Sequence, residues 1–205
     1  SDYCTNSYTT GTTYNLSNVT FAGINNSTSS PAMPMYYNYT SQTASVTTNV
    51  TYTFSANVNS GTSTATVYLW VDWNNNGVFD DAASPTGERY TIGTVAASSA
   101  NANVSLNITV PSSANIGTTR FRVAVHRTAD VGNGSACQTT IAYGETEDYS
   151  LTVAAQTACS GTPNPGAINA SSSSSCSSIS LSSTLSIATP LVESGYSYQW
   201  QESTA

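Results

Sequence analysis

Apolar and polar side chains alternate with period two through most of this chain, a pattern that fits strands and not amphipathic helices. Thr66 to Asp72 sets Val67, Leu69 and Val71 against Tyr68, Trp70 and Asp72. Val104, Leu106, Ile108 and Val110 repeat the scheme until Pro111, which cannot donate to a ladder, stops it. Phe121, Val123 and Val125 alternate with Arg120, Arg122 and His126, and Tyr149, Leu151 and Val153 continue the series. Val46 to Val58 reads as one further strand. Such segments, parted by Gly, Asn and Ser turns, predict an all-β fold: an antiparallel β-sandwich of jelly-roll or immunoglobulin-like type with one buried face per sheet. His126, the only histidine, falls on the outward face and reads as a surface residue, with no nucleophile motif around it.

Composition narrows the setting. Ser and Thr together make up about a third of the 205 residues, charged residues only 7%, and lysine is absent. That profile suits secreted β-structure. The net charge of -7 excludes the clustered basic surface that nucleic acids and anionic membranes require. No apolar run is long enough to span a bilayer and no signal peptide opens the chain, so it reads as a mature, soluble segment.

Seven of the eleven carboxylates lie in two short groups, Asp72, Asp80, Asp81 and Glu88, and Glu145, Glu147 and Asp148. Like charges so close call for a cation or an arginine. In the first group, Asp72, Asn74 and Asn76 offer side-chain oxygens at positions 1, 3 and 5 of a loop, Gly77 permits the turn at 6, and Val78 offers a carbonyl at 7. Asp80 stands at position 9. Position 12 is Ala83, where a helical calcium hand carries a glutamate, so Glu88 is the candidate for folding back across Ala82 to Gly87. Asp72, Asn74, Asn76, Val78, Asp80 and Glu88 are therefore a candidate calcium site. Glu147 and Asp148 are a candidate second cluster. Glu145 and Glu147 share a strand face and form a carboxylate pair of the kind glycoside hydrolysis uses, but the favoured role is structural: accepting backbone or tyrosine hydrogen bonds, pairing with Arg120 or Arg122, or completing a calcium site. Trp70, Trp73, Tyr36, Tyr37 and Tyr39 are of the type that stacks on sugars, and core or strand packing is preferred for them.

Cys4, Cys137, Cys159 and Cys176 allow three pairings, and no CxxC or Cys/His group suggests zinc. The even count favours disulfides and an oxidising compartment. The preferred pairing is Cys4 with Cys137 and Cys159 with Cys176, with a cysteine beyond residue 205 as the alternative partner of Cys176. The composition changes near residue 155. The expected division is a β-sandwich over 1–155, a linker over 156–170 rich in Pro and Gly, and the first part of an immunoglobulin-like domain over 171–205. The segment Tyr198-Gln199-Trp200-Gln201 carries the tryptophan such a domain offers, and the sequence is expected to be a piece of a longer protein.

Two motifs carry a resemblance. Tyr143-Gly144-Glu145-Thr146-Glu147-Asp148-Tyr149 resembles the Gly-Glu-Val-Glu-Asp-Tyr signature of the GEVED domain, with Thr146 in place of valine. Val71 to Asp81 is similar to that family's aspartate- and asparagine-rich block, and Tyr3-Cys4 to its start, so the resemblance spans residues 1–155. Asn76 stands where aspartate is commoner, and Ser84 to Thr86 is an insertion. Residues 159–205 resemble the immunoglobulin-like repeats that follow in such proteins. The resemblance implies a large secreted or cell-surface protein of the Bacteroidetes, exported by type IX secretion.

The expected function is that of a noncatalytic, calcium-stabilised extracellular module of an adhesin or surface filament. Its partners would be neighbouring repeats of the same chain, other copies, or a surface glycan or protein. An accessory carbohydrate- or substrate-binding domain of a secreted hydrolase is the alternative.

Overall fold

The computed structural model describes residues 3–28, 31–130, 132, 134–157, 168–170 and 185–187, and the chain divides into two compact units, 1–156 and 157–205. The first unit is all β. One sheet has the order β2-β1-β4-β7, formed by β1 (Asn15–Phe21), β2 (Ile24–Ser27), β4 (Thr51–Asn59) and β7 (Ala102–Thr109). The other has the order β3-β9-β8-β5-β6, formed by β3 (Tyr36–Thr47), β5 (Ala65–Val71), β6 (Arg89–Val95), β8 (Gly117–Arg127) and β9 (Gly144–Ala154). In the second unit β10 (Ile168–Ala170) pairs antiparallel with β11 (Leu185–Ile187). The expected Cys159–Cys176 bridge and most of the expected linker and immunoglobulin-like segment lie outside the described residues, and β10 falls within the stretch expected to be linker. Among the described residues no helix is long and apolar enough to cross a membrane.

The two sheets of the first unit face each other across one core. Phe21 and Phe54 from one sheet meet Phe121 from the other, with Phe21 edge-on to both at 5.7 and 5.4 Å. Full burial of each such ring removes apolar surface worth roughly 1.5–3 kcal/mol. The sandwich is as expected, with two refinements of strand order and extent. β3 and β9 run parallel, whereas the other described pairs of the sandwich are antiparallel. Val46 to Val58 is two strands and not one: the chain turns between β3 and β4, where Asn49 takes a left-handed conformation (φ 63°) that asparagine tolerates.

The larger correction concerns the outer face of the five-stranded sheet, which is covered. All seven residues of β5 are buried. Tyr68, Trp70 and Ala124 on that face pack with Phe79, Ala136 and Tyr3, and Tyr8, Met35 and Ile141 form a further cluster. The cover is irregular chain: the segment before β1, and the loops around residues 32–35, 72–83 and 134–143. Backbone bonds hold the N-terminal segment down, from Ser7 to the Gln138 carbonyl, Tyr8 to Pro34 and Thr10 to Ala142. The Cys4–Cys137 disulfide fixes its start, closing a sequence separation of 133. His126 is accordingly fully buried, not on the surface. Its Nε2 lies 3.1 Å from the Tyr8 hydroxyl, and the Tyr68 ring stands 5.8 Å away.

Candidate functional site

The loop after β5 is organised by its own oxygens. Asp72 is fully buried; its Oδ1 accepts from the Asn76 amide (3.1 Å), and its Oδ2 accepts from Gly77 (2.9 Å) and from the Tyr3 hydroxyl. Asn74 Oδ1 accepts from the Asn76 amide, Asn76 Oδ1 from Val78, and Asp80 Oδ1 from Ala82. Gly77 takes φ 81°, the left-handed conformation the tight turn needs. Glu88, just before β6, is buried and folds back onto the loop, accepting from Asp80 N (3.0 Å) and Asn74 N (3.4 Å). Burial, and then the nearby Asp72 charge, raise its pKa above the ordinary carboxylate range.

The structure thus brings Asp72 and Glu88 to one loop, while Asn74, Asn76, Val78 and Asp80 lie on its exposed side. Among the described residues no three His, Cys, Asp or Glu side chains gather closely enough to hold a metal. The donor chemistry is nonetheless that of a hard cation, being all oxygen with two carboxylates. Asp72 Oδ1 and both Glu88 oxygens each cap one loop amide and keep a second lone pair, whereas Asp72 Oδ2 already accepts from Gly77 and Tyr3.

The Glu147–Asp148 cluster does not form as one group, because adjacent strand residues face opposite ways. Asp148 points to the covered outer face, where Arg122 grips it through Nε (2.6 Å) and Nη2 (2.8 Å) and Arg120 approaches at 3.4 Å. Arg122 also donates to the Ala136 and Cys4 carbonyls, so the ion pair, the disulfide segment and the sheet share one centre. The arginine partner foreseen for the glutamates goes instead to Asp148.

Glu145 and Glu147 belong to the inward row of β9, ahead of Tyr149, Leu151 and Val153. Glu145 accepts from the Leu16 amide at 3.0 Å, across the sandwich. Glu147 accepts from the Tyr149 hydroxyl at 2.6 Å and from Thr28 at 3.4 Å. Burial pushes both carboxyls up, Glu145 further through the charge of Glu147 beside it. One proton shared between them is the arrangement this favours. The backbone before the pair is tightly fitted: a Cβ on Gly144 would collide with the Val125 carbonyl oxygen and the Tyr8 ring.

Beside Glu145 lies a cavity of about 300 Å³ whose wall includes Tyr37, Tyr39, Asn26 and Thr28. The rings of Tyr37 and Tyr39 stand 5.9 Å apart and 7° from parallel. Sequence reading named these aromatics but assigned no cavity to them, since strand spacing does not reveal which neighbours leave space between them.

No curated protein matches the chain. Residues 66–152, which run from β5 through the carboxyl pair of β9, match the family model of the GEVED domain.

Proposed function

We propose that the chain is a noncatalytic extracellular module of a large bacterial cell-surface or secreted protein, an adhesin or surface fibre exported by type IX secretion. The observation that carries this reading is the role of the motif residues. Glu147, Asp148 and Tyr149 are buried and spend their polar atoms on Tyr149, Arg122 and Asn26, so they build the sandwich and face no open cleft. The Cys4–Cys137 bridge fits an oxidising compartment. Calcium is proposed to tie the 72–88 loop to the strand end. The support is the oxygen spacing and the return of Glu88. Antibodies raised against the chain should label intact cells of the source organism or its culture medium, and deletion of the gene should reduce attachment. Labelling only after lysis overturns the proposal.

The second reading, an accessory carbohydrate-binding domain of a secreted hydrolase, is favoured by one observation, the cavity walled by Tyr37 and Tyr39. A peptidase or glycosidase domain in the same polypeptide would support it, and an array of similar sandwiches would support the adhesin.

A further inference from the structure

Glu145 and Glu147 are 1% and 0% exposed, and no arginine reaches either among the described residues. The chain's own cations are committed elsewhere. Arg120 and Arg122 serve Asp148, Arg127 serves Asp130, Arg89 donates to the Gly134 carbonyl, and the sequence has no lysine. Sharing one proton, the buried pair keeps one negative charge, and none of the chain's own cations faces it.

The route to it is the cavity of about 300 Å³ that Glu145 helps to line. Tyr37 is held in place by its hydroxyl, which bonds the Ala32 amide and carbonyl, so the aromatic wall is set before a ligand arrives. Tyr39 stands in the field of the pair: burial, then Glu147 and Glu145, push its phenol up to about 12. Stacked rings beside a carboxylate attract an ammonium group twice over, through the aromatic quadrupole and through charge. On the remaining side Asn26, Ser27 and Thr28 present amide and hydroxyl groups. Those suit a ligand bearing hydroxyls, and a lysine side chain or simple alkylamine brings none. The volume lies at the low end for small-molecule pockets and matches one sugar ring.

The geometry points to a binding site for an amino sugar, with its ammonium group against Glu145 and its ring on Tyr37 and Tyr39. This rests on the carbohydrate-binding reading and identifies its ligand class; it does not bear on where the protein is displayed, so failure to bind leaves the surface reading standing.

Calorimetric titration of the full chain near neutral pH with glucosamine, N-acetylglucosamine and 1,5-diaminopentane tests it. Glucosamine should bind saturably, with a dissociation constant on the order of 1 mM, and the other two at least about tenfold more weakly. Glu145→Gln should weaken glucosamine binding about tenfold or more with the near-ultraviolet circular dichroism unchanged. Tyr39→Ala, at a partly buried position, should do the same and serves if the Glu145 variant fails to fold. Equal binding of N-acetylglucosamine overturns the role of the charge. Equal binding of the diamine overturns the sugar assignment, and absence of glucosamine binding overturns the site.

Discussion

Arg122 and Asp148 pair face to face across neighbouring strands, Nε to Oδ1 at 2.6 Å and Nη2 to Oδ2 at 2.8 Å, with both side chains wholly shielded from water. Removing one partner leaves a buried charge alone, a change that costs about 3–5 kcal/mol. Arg122→Met should therefore lower stability by about that amount, whereas Arg122→Met combined with Asp148→Leu should recover part of it. Urea denaturation of the three proteins measures this. Equal stability of the single variant and the parent would contradict the pair's role.

The disulfide between Cys4 and Cys137 closes a long loop, for which chain entropy alone gives roughly 4–5 kcal/mol. Reduction, or Cys4→Ser with Cys137→Ser, should release the N-terminal cover and expose the outer face around Trp70. Thermal unfolding under reducing and non-reducing conditions, followed by tryptophan fluorescence, checks both effects.

The carboxyl pair gives a pH dependence of definite sign. Glu147 and Glu145 have pKa values raised to about 7 and about 9, against about 4.5 for an ordinary glutamate. The folded state thus holds protons that the unfolded chain gives up. Their contribution to stability is complete below about pH 4.5 and declines as the pH rises through 7 and 9. The denaturation midpoint should fall between mildly acidic and alkaline pH, and Glu145→Gln with Glu147→Gln should flatten that slope. A slope of the same size in the double variant would assign it elsewhere.

Calcium should raise the melting temperature after chelation. At about ten times its dissociation constant the ion adds about 1.4 kcal/mol, a shift of roughly 3–6 °C. Asp72 also caps two loop amides without any ion, so Asp72→Ala should lower the baseline and abolish the calcium increment together. Scanning calorimetry with and without calcium separates the two. An increment that survives in the variant places the ion at other residues.

Gly144 is the simplest backbone test. The Val125 carbonyl and the Tyr8 ring occupy the space a methyl group would need, so Gly144→Ala should cost about 1–3 kcal/mol by overpacking. A melting curve like the parent's would show that the contact yields easily.

What could be read beforehand was whatever has a period. Val67, Leu69 and Val71, like Tyr149, Leu151 and Val153, announced their strands and their inward faces, and the same parity places Glu145 and Glu147 in the interior row. A carboxylate usually means solvent, and that expectation hid the parity. Arg122 and His126 were legible as outer-face residues, yet the chain that buries them has no repeat to betray it. The cover was visible only as Tyr3-Cys4 and Cys137, two points whose link does not tell what lies beneath. The 72–81 spacing foretold a tight oxygen-lined loop and the return of Glu88, whereas the turning of Asp80 toward Ala82 depends on local backbone geometry.

The bridge from Cys4 to Cys137 also decides where a pull would travel. Tension entering at the N-terminal side passes through sulfur directly to residue 137, and from there only the short run into β9 separates it from the far end of the unit. The backbone of strands β1 to β8 lies inside the closed covalent ring and is bypassed by the covalent path. β9 is already extended, is clasped by β3 and β8, and has little slack to give. A module wired in this way behaves under traction as a short inextensible link, not as a reservoir of unfolding length.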